Sequence, residues 1–215
     1  VLQDTIKELG AKASILQGRC IEPHLINIWC KFIKSMMREA MWVRKKSVPM
    51  MDVYMSNALL SFGLGPVVLI TLYFLGLELP EEVVASPEYD SLFKHMSTCG
   101  RLLNDVQSFQ REAAEGKLNS VSLYMLHSWG EITEEETVRE MAILTERSRR
   151  ELLQMVVQRK GSAVPKACKD LFWKTSRILH LFSLSNDGFT SSSQMIDSVN
   201  AVIHDPLSLP QCASC

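Results

Sequence analysis

Residues 101–116 read RLLNDVQSFQREAAEG, and their apolar positions recur with the period of an α-helix. At about 100° per residue, six apolar side chains fall on one arc of this helix: Leu102, Leu103, Val106, Phe109, Ala113 and Ala114. A period near 3.6 continues through nearly every other segment, and no run alternates convincingly with the period of two that marks a strand. The sequence therefore predicts an all-α protein with one domain over residues 1–215.

Local signals place the ends of several helices. Thr133 followed by Glu136 fits a capping box, Pro165 fits a first-turn proline, and Gly116 and Gly130 fit helix ends. We expect helices over residues 1–17, 22–46, 49–75 (interrupted), 87–115, 119–129, 134–160, 165–184 and 192–203.

The bulk composition is that of a globular protein. Hydrophobic residues make up 47% of the 215 residues, and 23 Lys and Arg residues against 24 Asp and Glu residues give a net charge of -1. Because there is no overall basic field, we expect no nucleic-acid partner. The chain begins at Val1 without a visible targeting segment, so we expect a fragment or a processed chain.

Several common kinds of catalytic site have no support in the sequence. The histidines lack metal-ligand spacing, and there is no G-x-S-x-G, Walker-type loop or G-x-G-x-x-G. The single C-x-x-C, at Cys212 and Cys215, has no second ligand pair beside it and is interpreted as a loose tail. Nucleophilic hydrolases and nucleotide-binding enzymes are therefore disfavoured.

Residues 53–77 contain no charged side chain, and this length meets the criterion for a transmembrane helix. Gly63, Gly65 and Pro66 lie in the middle, where they would kink or break a helix. Asn57 and Ser61 add polarity on one side. A buried core helix with a break is the prediction, and a kinked membrane-spanning helix is the alternative.

The polar side of the helix over 101–116 carries oxygen-bearing side chains one turn apart. Asn104, Ser108 and Glu112 form a row, with Arg101 between them and Arg111 close by. An amide carbonyl, a hydroxyl and a carboxylate suit Mg²⁺, which prefers oxygen ligands, and an arginine can neutralise a phosphate held by the same ion. On spacing alone, a solvated polar face is the more common explanation.

The sequence LLNDVQSFQRE (102–112) resembles the second metal-binding motif of class I terpene synthases, Asn/Asp-Asp-x-x-Ser/Thr-x-x-x-Glu. Longer stretches resemble plant kaurene synthases and kaurene synthase-like diterpene cyclases, and the resemblance runs over essentially the whole chain. These stretches are YMSNALLSFGLGPVVLITLYFLG (54–76), GRLLNDVQSFQREAAEGKLNSVSLYMLH (100–127) and DGFTSSSQMIDSVNAVIHDPL (187–207).

The resemblance implies the C-terminal part of an all-helical barrel that holds three Mg²⁺ ions against a prenyl diphosphate. Asn104, Ser108 and Glu112 match its metal ligands, and Arg101 matches an arginine that contacts diphosphate. The implied reaction ionises a substrate such as ent-copalyl diphosphate and cyclises the carbocation to a kaurene- or pimaradiene-type diterpene. The family also implies a plastid location, and no membrane span is expected.

This sequence departs from the family pattern in two ways. The family's first metal motif, Asp-Asp-x-x-Asp, is absent, and the chain contains no Asp-Asp pair. Truncation is the favoured explanation, and an inactive helical scaffold is the alternative.

The second departure concerns the residues expected to shape the product. After the Gly65-Pro66 break, Val67 and Ile70 stand where kaurene synthases usually have isoleucine and proline. We expect Gly65, Val67 and Ile70 to line the cavity and influence the product. Arg111 and Lys117 are further candidates for phosphate contacts.

Overall fold

The computed structural model describes residues 1–183, 196–197 and 199–200, and this part of the chain is helical without a strand. The helices are α1 Leu2–Gln17, α2 Glu22–Lys45, α3 Met51–Ser61, α4 Ile70–Leu72, α5 Glu81–Val84, α6 Pro87–Ala114, α7 Ser120–His127, α8 Glu134–Val157 and α9 Lys166–Phe182, with a π-helical segment Gly65–Leu69 before α4. The all-α prediction is confirmed. Most of the predicted helix over 192–203 lies outside the described residues.

Helix α6 is the central element, because it packs against α3, α5, α7, α8 and α9. Ser86 caps its start by accepting a hydrogen bond from the Tyr89 backbone N–H, and Pro87 stands at the first helical position. Gly116, in the left-handed region at φ 69°, follows its end. On the other side of the bundle, α2 packs against α1, α3 and the π-helical segment.

The main hydrophobic core joins these helices. Buried side chains from α2, the π-helical segment, α4, α6, α8 and α9 form one cluster, which includes Leu25, Val68, Leu72, Leu92, Met96, Leu152 and Phe172. Two smaller clusters lie around Tyr54 and Leu123 and around Leu102 and Met141. Burial of these apolar surfaces supplies most of the driving force for folding.

The predicted interruption of the apolar helix is confirmed. Gly63 turns the backbone at φ 83°, and Pro66 lies in the first turn of the π-helical segment. Proline has no N–H to donate, so the regular hydrogen-bond ladder cannot continue through this point.

Among the described residues, no single helix is long and apolar enough to cross a membrane. The bent pair Met51–Ser61 and Gly65–Leu72, with 44° between its two parts, is long and apolar enough when the two parts are taken together, by length and composition only.

Some predicted boundaries were inaccurate. Helix α5 was not anticipated, and Pro165 is the N-cap of α9 rather than a residue of its first turn. Helix α8 ends at Val157, where Gln158 turns to an extended conformation. The predicted capping box at Thr133 and Glu136 is confirmed by both of its hydrogen bonds.

An ion pair between buried Lys169 and partly exposed Glu88 ties the start of α6 to the connection between α8 and α9. Lys169 is 1% exposed, and its Nζ lies 2.8 Å from Glu88 Oε1 while donating to the carbonyls of Met155 and Gln158. Glu88 also accepts hydrogen bonds from the Ser162 hydroxyl and from two backbone N–H groups, those of Ala163 and Val164. One carboxylate thus fixes three segments.

Gly100 marks the closest approach of α6 to its neighbours. A Cβ at this position would lie 2.6 Å from Phe62 Cε1 and 2.7 Å from Leu179 Cδ1. Both distances are shorter than carbon atoms tolerate, so the absence of a side chain permits this packing. Gly100 precedes Arg101, and its packing therefore sets the position of the polar residues that follow.

Gly100→Ala should destabilise the protein. Alanine is the better helix former by about 1 kcal/mol, but overpacking against Phe62 and Leu179 costs about 1–3 kcal/mol, so the net loss should be about 1 kcal/mol or more. Urea unfolding measures this loss, with Thr98→Ala on the same helix as the control. An unchanged or raised unfolding midpoint would mean that the two side chains move aside freely.

Glu88→Gln should show a pH-dependent loss of stability. Burial raises the pKa of Glu88, but hydrogen bonds from Lys169, Ser162 and the backbone outweigh it and bring the pKa to about 2, from an ordinary value of 4.5. A depressed pKa stabilises the fold above the unfolded-state pKa, and this contribution is lost as the pH falls from about 4.5 towards about 2.

The difference in unfolding free energy between wild type and Glu88→Gln should therefore be largest above pH 5 and should shrink on acidification. Denaturant titrations from pH 3 to pH 7 measure it. Glu131→Gln, the same substitution at an exposed position, is the control. A difference in unfolding free energy that stays constant with pH would contradict the role of the Glu88 charge.

Candidate metal and diphosphate site on helix α6

Asn104, Ser108 and Glu112 lie on one face of α6, as their spacing requires. Ser108 is 1% exposed, whereas Asn104 and Glu112 are partly exposed. The row spans roughly 12 Å along the helix axis at about 1.5 Å per residue. Their assignment as metal ligands stays a prediction.

Arg101 belongs to a buried charge cluster with Asp105 and Tyr54. Its Nε lies 2.8 Å from Asp105 Oδ1, and Asp105 is completely buried. The N–H direction of Nε departs from the hydrogen-bond axis, so this contact is an ion pair. The guanidinium also donates to the Tyr54 hydroxyl, which in turn donates to Asp105 Oδ2 at 3.1 Å.

This cluster keeps Arg101 charged. Burial lowers the pKa of Arg101, but the negative groups around it, with Asp105 first among them, together raise it by more, and the net direction is upward. Burial and the Asp105 charge also raise the pKa of Tyr54 well above its usual range, so its phenol stays protonated. The guanidinium is therefore a fixed positive charge one turn before Asn104, and its contact with diphosphate remains a prediction.

Asp105 also positions the start of α7. Its Oδ2 accepts a hydrogen bond from the Ser120 backbone N–H at 3.0 Å, and its backbone carbonyl accepts one from Asn119 Nδ2 at 3.0 Å. Asn119 caps α7 by accepting from the Val121 N–H at 2.9 Å. The same Nδ2 donates to Glu112 Oε2 at 2.7 Å, so the loop after α6 folds back onto the predicted metal ligand.

The pKa of Glu112 lies above its ordinary value. Burial is the main cause, the hydrogen bond from Asn119 opposes it, and the nearby Asp105 charge adds to it. A carboxylate that is partly withdrawn from water in this way gains from a positive charge beside it.

The side chains present fit a hard divalent cation. All three predicted ligands offer oxygen, the donor atom that Mg²⁺ prefers. The buried Ser108 Oγ has no hydrogen bond of good geometry among the described residues, although it lies near enough to Glu112 to lower the pKa of that carboxyl, so its lone pairs can still coordinate a cation. The described residues contain no group of three or more His, Cys, Asp or Glu side chains around one point, so the fit depends on an amide and a hydroxyl beside one carboxylate.

The residues predicted to shape the product lie in or beside the π-helical segment and have different surroundings. Gly65 is buried, and a Cβ added at this position would lie 3.4 Å from Ile28 Cγ2. Val67 is 64% exposed, whereas Ile70 is 6% exposed and packs in the main core. Their influence on the product stays a prediction.

The two further candidates for phosphate contacts lie at and beyond the end of α6. Lys117 is exposed and forms an ion pair with Glu115 at 2.5 Å. Arg111 is also exposed. A contact between either side chain and phosphate stays a prediction.

Three residues that organise the site were not selected from the sequence. Asp105 stands inside the matched motif, but spacing alone gave no reason to expect complete burial. Tyr54 lies 51 residues away from its partner Asp105. Asn119 precedes Ser120 at a helix start, and this N-cap signal could have identified its capping role but not its contact with Glu112.

Comparison with known proteins identifies the family of this chain. Residues 1–151 match the family model described as terpene synthase family 2, C-terminal metal binding. The chain is 53% identical over 205 residues to the ent-kaur-16-ene synthase of Oryza sativa subsp. japonica and 52% identical over 209 residues to the ent-beyerene synthase of Ricinus communis. These matches cover 95% and 97% of this chain and 27% of each relative, so the chain spans about a quarter of their length.

Solved structures show the same fold. Abietadiene synthase from Abies grandis superposes with a TM-score of 0.83 at 28% identity, covering 95% of this chain and 27% of that one. The isoprene synthase of Populus x canescens, solved with three Mg²⁺ ions and dimethylallyl-S-thiolodiphosphate, gives a TM-score of 0.82 at 26% identity, covering 96% and 39%. With the matched family model and the relatives of about 50% identity, these findings establish that the chain belongs to the terpene synthase family and carries part of its C-terminal metal-binding domain.

Proposed function

We propose that this chain forms part of the catalytic domain of an Mg²⁺-dependent diterpene cyclase. The substrate would be a bicyclic prenyl diphosphate such as ent-copalyl diphosphate, and the product a kaurene- or pimaradiene-type diterpene. The observation that carries the proposal is the row of oxygen side chains on α6, in which the buried Ser108 Oγ has no hydrogen bond of good geometry among the described residues and lies beside the Glu112 carboxylate one turn further on.

The polar residues of α6 would have two roles, binding the cation and supplying a positive charge. Asn104, Ser108 and Glu112 would hold Mg²⁺; the matched family is a metal-binding one, and the poplar enzyme, solved with three Mg²⁺ ions, supports three ions in the complete site. Bound Mg²⁺ supplies stabilisation of the negative charge that develops on a departing diphosphate. Arg101 contributes a permanent positive charge whose direction is fixed by Asp105 and Tyr54 before any substrate arrives.

The apolar surface around the helix break would exclude water from the reacting hydrocarbon. Gly65, Val67 and Ile70 carry no group that can capture a carbocation, and dipoles in a dry site act strongly on such a charge. The shape of the cavity wall in this region would therefore affect which product forms more than it affects the rate of ionisation.

The proposed partner is a small-molecule prenyl diphosphate, without nucleic acid, because the net charge is -1. We also propose a plastid location, supported by the rice and castor relatives, whose names include "chloroplastic". The alternative is an inactive helical scaffold, favoured by the lack of an Asp-Asp pair in this sequence. A chimaera in which this chain replaces the matching segment of the rice enzyme separates the two, because only a functional metal-binding surface would preserve turnover.

In that chimaera and in the complete protein, Glu112→Gln or Asn104→Ala should lower turnover by about 100-fold or more, because each removes an oxygen ligand where charge develops. Diterpene formation is measured by gas chromatography over a range of Mg²⁺ concentrations. Glu115→Gln and Gln110→Ala, which make the same changes on exposed positions of α6 or its C-cap, are the matched controls. Unchanged Mg²⁺-dependent turnover in either test variant would refute the ligand assignment.

Val67→Thr should change the ratio of diterpene products more than the rate at which diphosphate leaves, because a hydroxyl near the cation can stabilise an early intermediate or accept its proton. Ile70→Thr should also alter the product but should cost stability, since Ile70 is buried in the core. The product profile with the bicyclic diphosphate is the measurement, and Val157→Thr, at a similarly exposed valine, is the control. An identical profile with a collapsed rate would show that these residues only support the fold.

A further inference from the structure

Asn119 makes polar contacts in three directions although it is completely buried. Its Oδ1 accepts from the Val121 N–H, while its Nδ2 donates to the Asp105 carbonyl and to Glu112 Oε2. Capping α7 requires only the first contact. The other two direct the buried amide towards a different helix, α6, where it meets one backbone carbonyl and one carboxylate.

The contact with Glu112 is short, at 2.7 Å, and the acceptor is the side chain predicted to bind Mg²⁺. Glutamate has three side-chain torsions, so an unrestrained carboxylate at this position would sample many orientations. A hydrogen bond to one carboxylate oxygen restricts that motion. Hydrogen-bond partners of this kind typically orient a metal ligand before the metal binds.

Asn119 is itself held in place by Asp105. The backbone N–H of Ser120 donates to Asp105 Oδ2, and Asp105 is anchored by Arg101 and Tyr54. The chain of contacts therefore runs from α3 through α6 to the start of α7 and back to Glu112. It links the predicted diphosphate ligand, Arg101, to a predicted metal ligand through groups that are shielded from water.

We infer that Asn119 is a positioning residue that orients the Glu112 carboxylate for the divalent cation. This inference rests on the proposed function, because it assigns the orientation of a ligand in that site. Asn119 does not need to touch the cation or the substrate. It holds Oε2 of Glu112 and thereby lowers the cost of ordering the carboxylate when the cation binds.

Asn119→Ser in the complete protein tests this role. Serine caps helices well, so α7 should keep its start, but its short hydroxyl cannot replace the amide donor to Glu112. The dissociation constant for Mg²⁺, measured by calorimetry in the presence of inorganic diphosphate, should rise about 10- to 100-fold. The Mg²⁺ concentration that gives half-maximal turnover should rise with it, while kcat at saturating Mg²⁺ should fall less.

Thr133→Ala is the matched control, because it removes an N-cap from α8 that has no contact with Glu112. It should lower stability and leave Mg²⁺ affinity unchanged. If Asn119 only supported the fold, Asn119→Ser would behave in the same way. Equal Mg²⁺ affinity in Asn119→Ser and the wild type would overturn the inference while leaving the proposed function intact.

A double-mutant cycle in metal-free protein gives a readout that does not depend on activity. Asn119→Asp places a second carboxylate against Glu112 and should lower the urea unfolding midpoint. Glu112→Gln added to Asn119→Asp exchanges donor and acceptor. The double variant should therefore lose less stability than the two single variants lose in sum. Additive effects would overturn the contact on which the inference depends. Failure of wild-type protein to bind Mg²⁺ would overturn the proposed function, and the inference with it, even if the cycle showed coupling.

Discussion

The buried carboxylate of Asp105 is the constraint on which the candidate site depends. A carboxylate without solvent contact is stable only if charges and hydrogen-bond donors replace the lost water. Arg101 supplies the charge, and Tyr54 and the Ser120 backbone N–H supply donors. Because these partners lie on α6, α3 and the start of α7, satisfying one charge fixes three elements relative to one another.

A second ion pair, in which the lysine is buried and the glutamate partly exposed, constrains the start of α6. Glu88 and Lys169 lie where the start of α6 meets the connection between α8 and α9, and Lys169 also binds two backbone carbonyls at the end of α8. Between the two pairs, Gly100 allows α6 to approach Phe62 and Leu179 closely. The helix that carries the predicted ligands is thus held at its start by Glu88 and further along by Gly100 and Asp105, which is what a preorganised site needs.

The polar network and the apolar helix break have separate roles in the proposed chemistry. Charges and oxygen ligands on α6 would act on the diphosphate, whose ionisation needs electrostatic stabilisation. The π-helical segment Gly65–Leu69 offers only apolar side chains, and its kink follows from Gly63 and Pro66. Placing the two tasks on different elements allows substitutions in the apolar segment to alter a product without weakening the ion site.

The sequence by itself determined the all-α fold, most helix boundaries, the break near Gly65 and the row Asn104, Ser108 and Glu112. These features depend on periodicity and capping, which act within about four residues along the chain. It also indicated the terpene synthase family, because that resemblance resides in contiguous motifs.

Only the tertiary structure decided that Asp105 is buried, that Lys169 pairs with Glu88, and that Asn119 holds Glu112. A polar residue looks the same in a sequence whether it faces water or an oppositely charged partner. Its role depends on which distant segments pack beside it, and the separation of 51 positions between Tyr54 and Asp105 leaves no local pattern that reports this contact. The free energy of a buried charge is a property of its surroundings, and those surroundings exist only once the helices have packed.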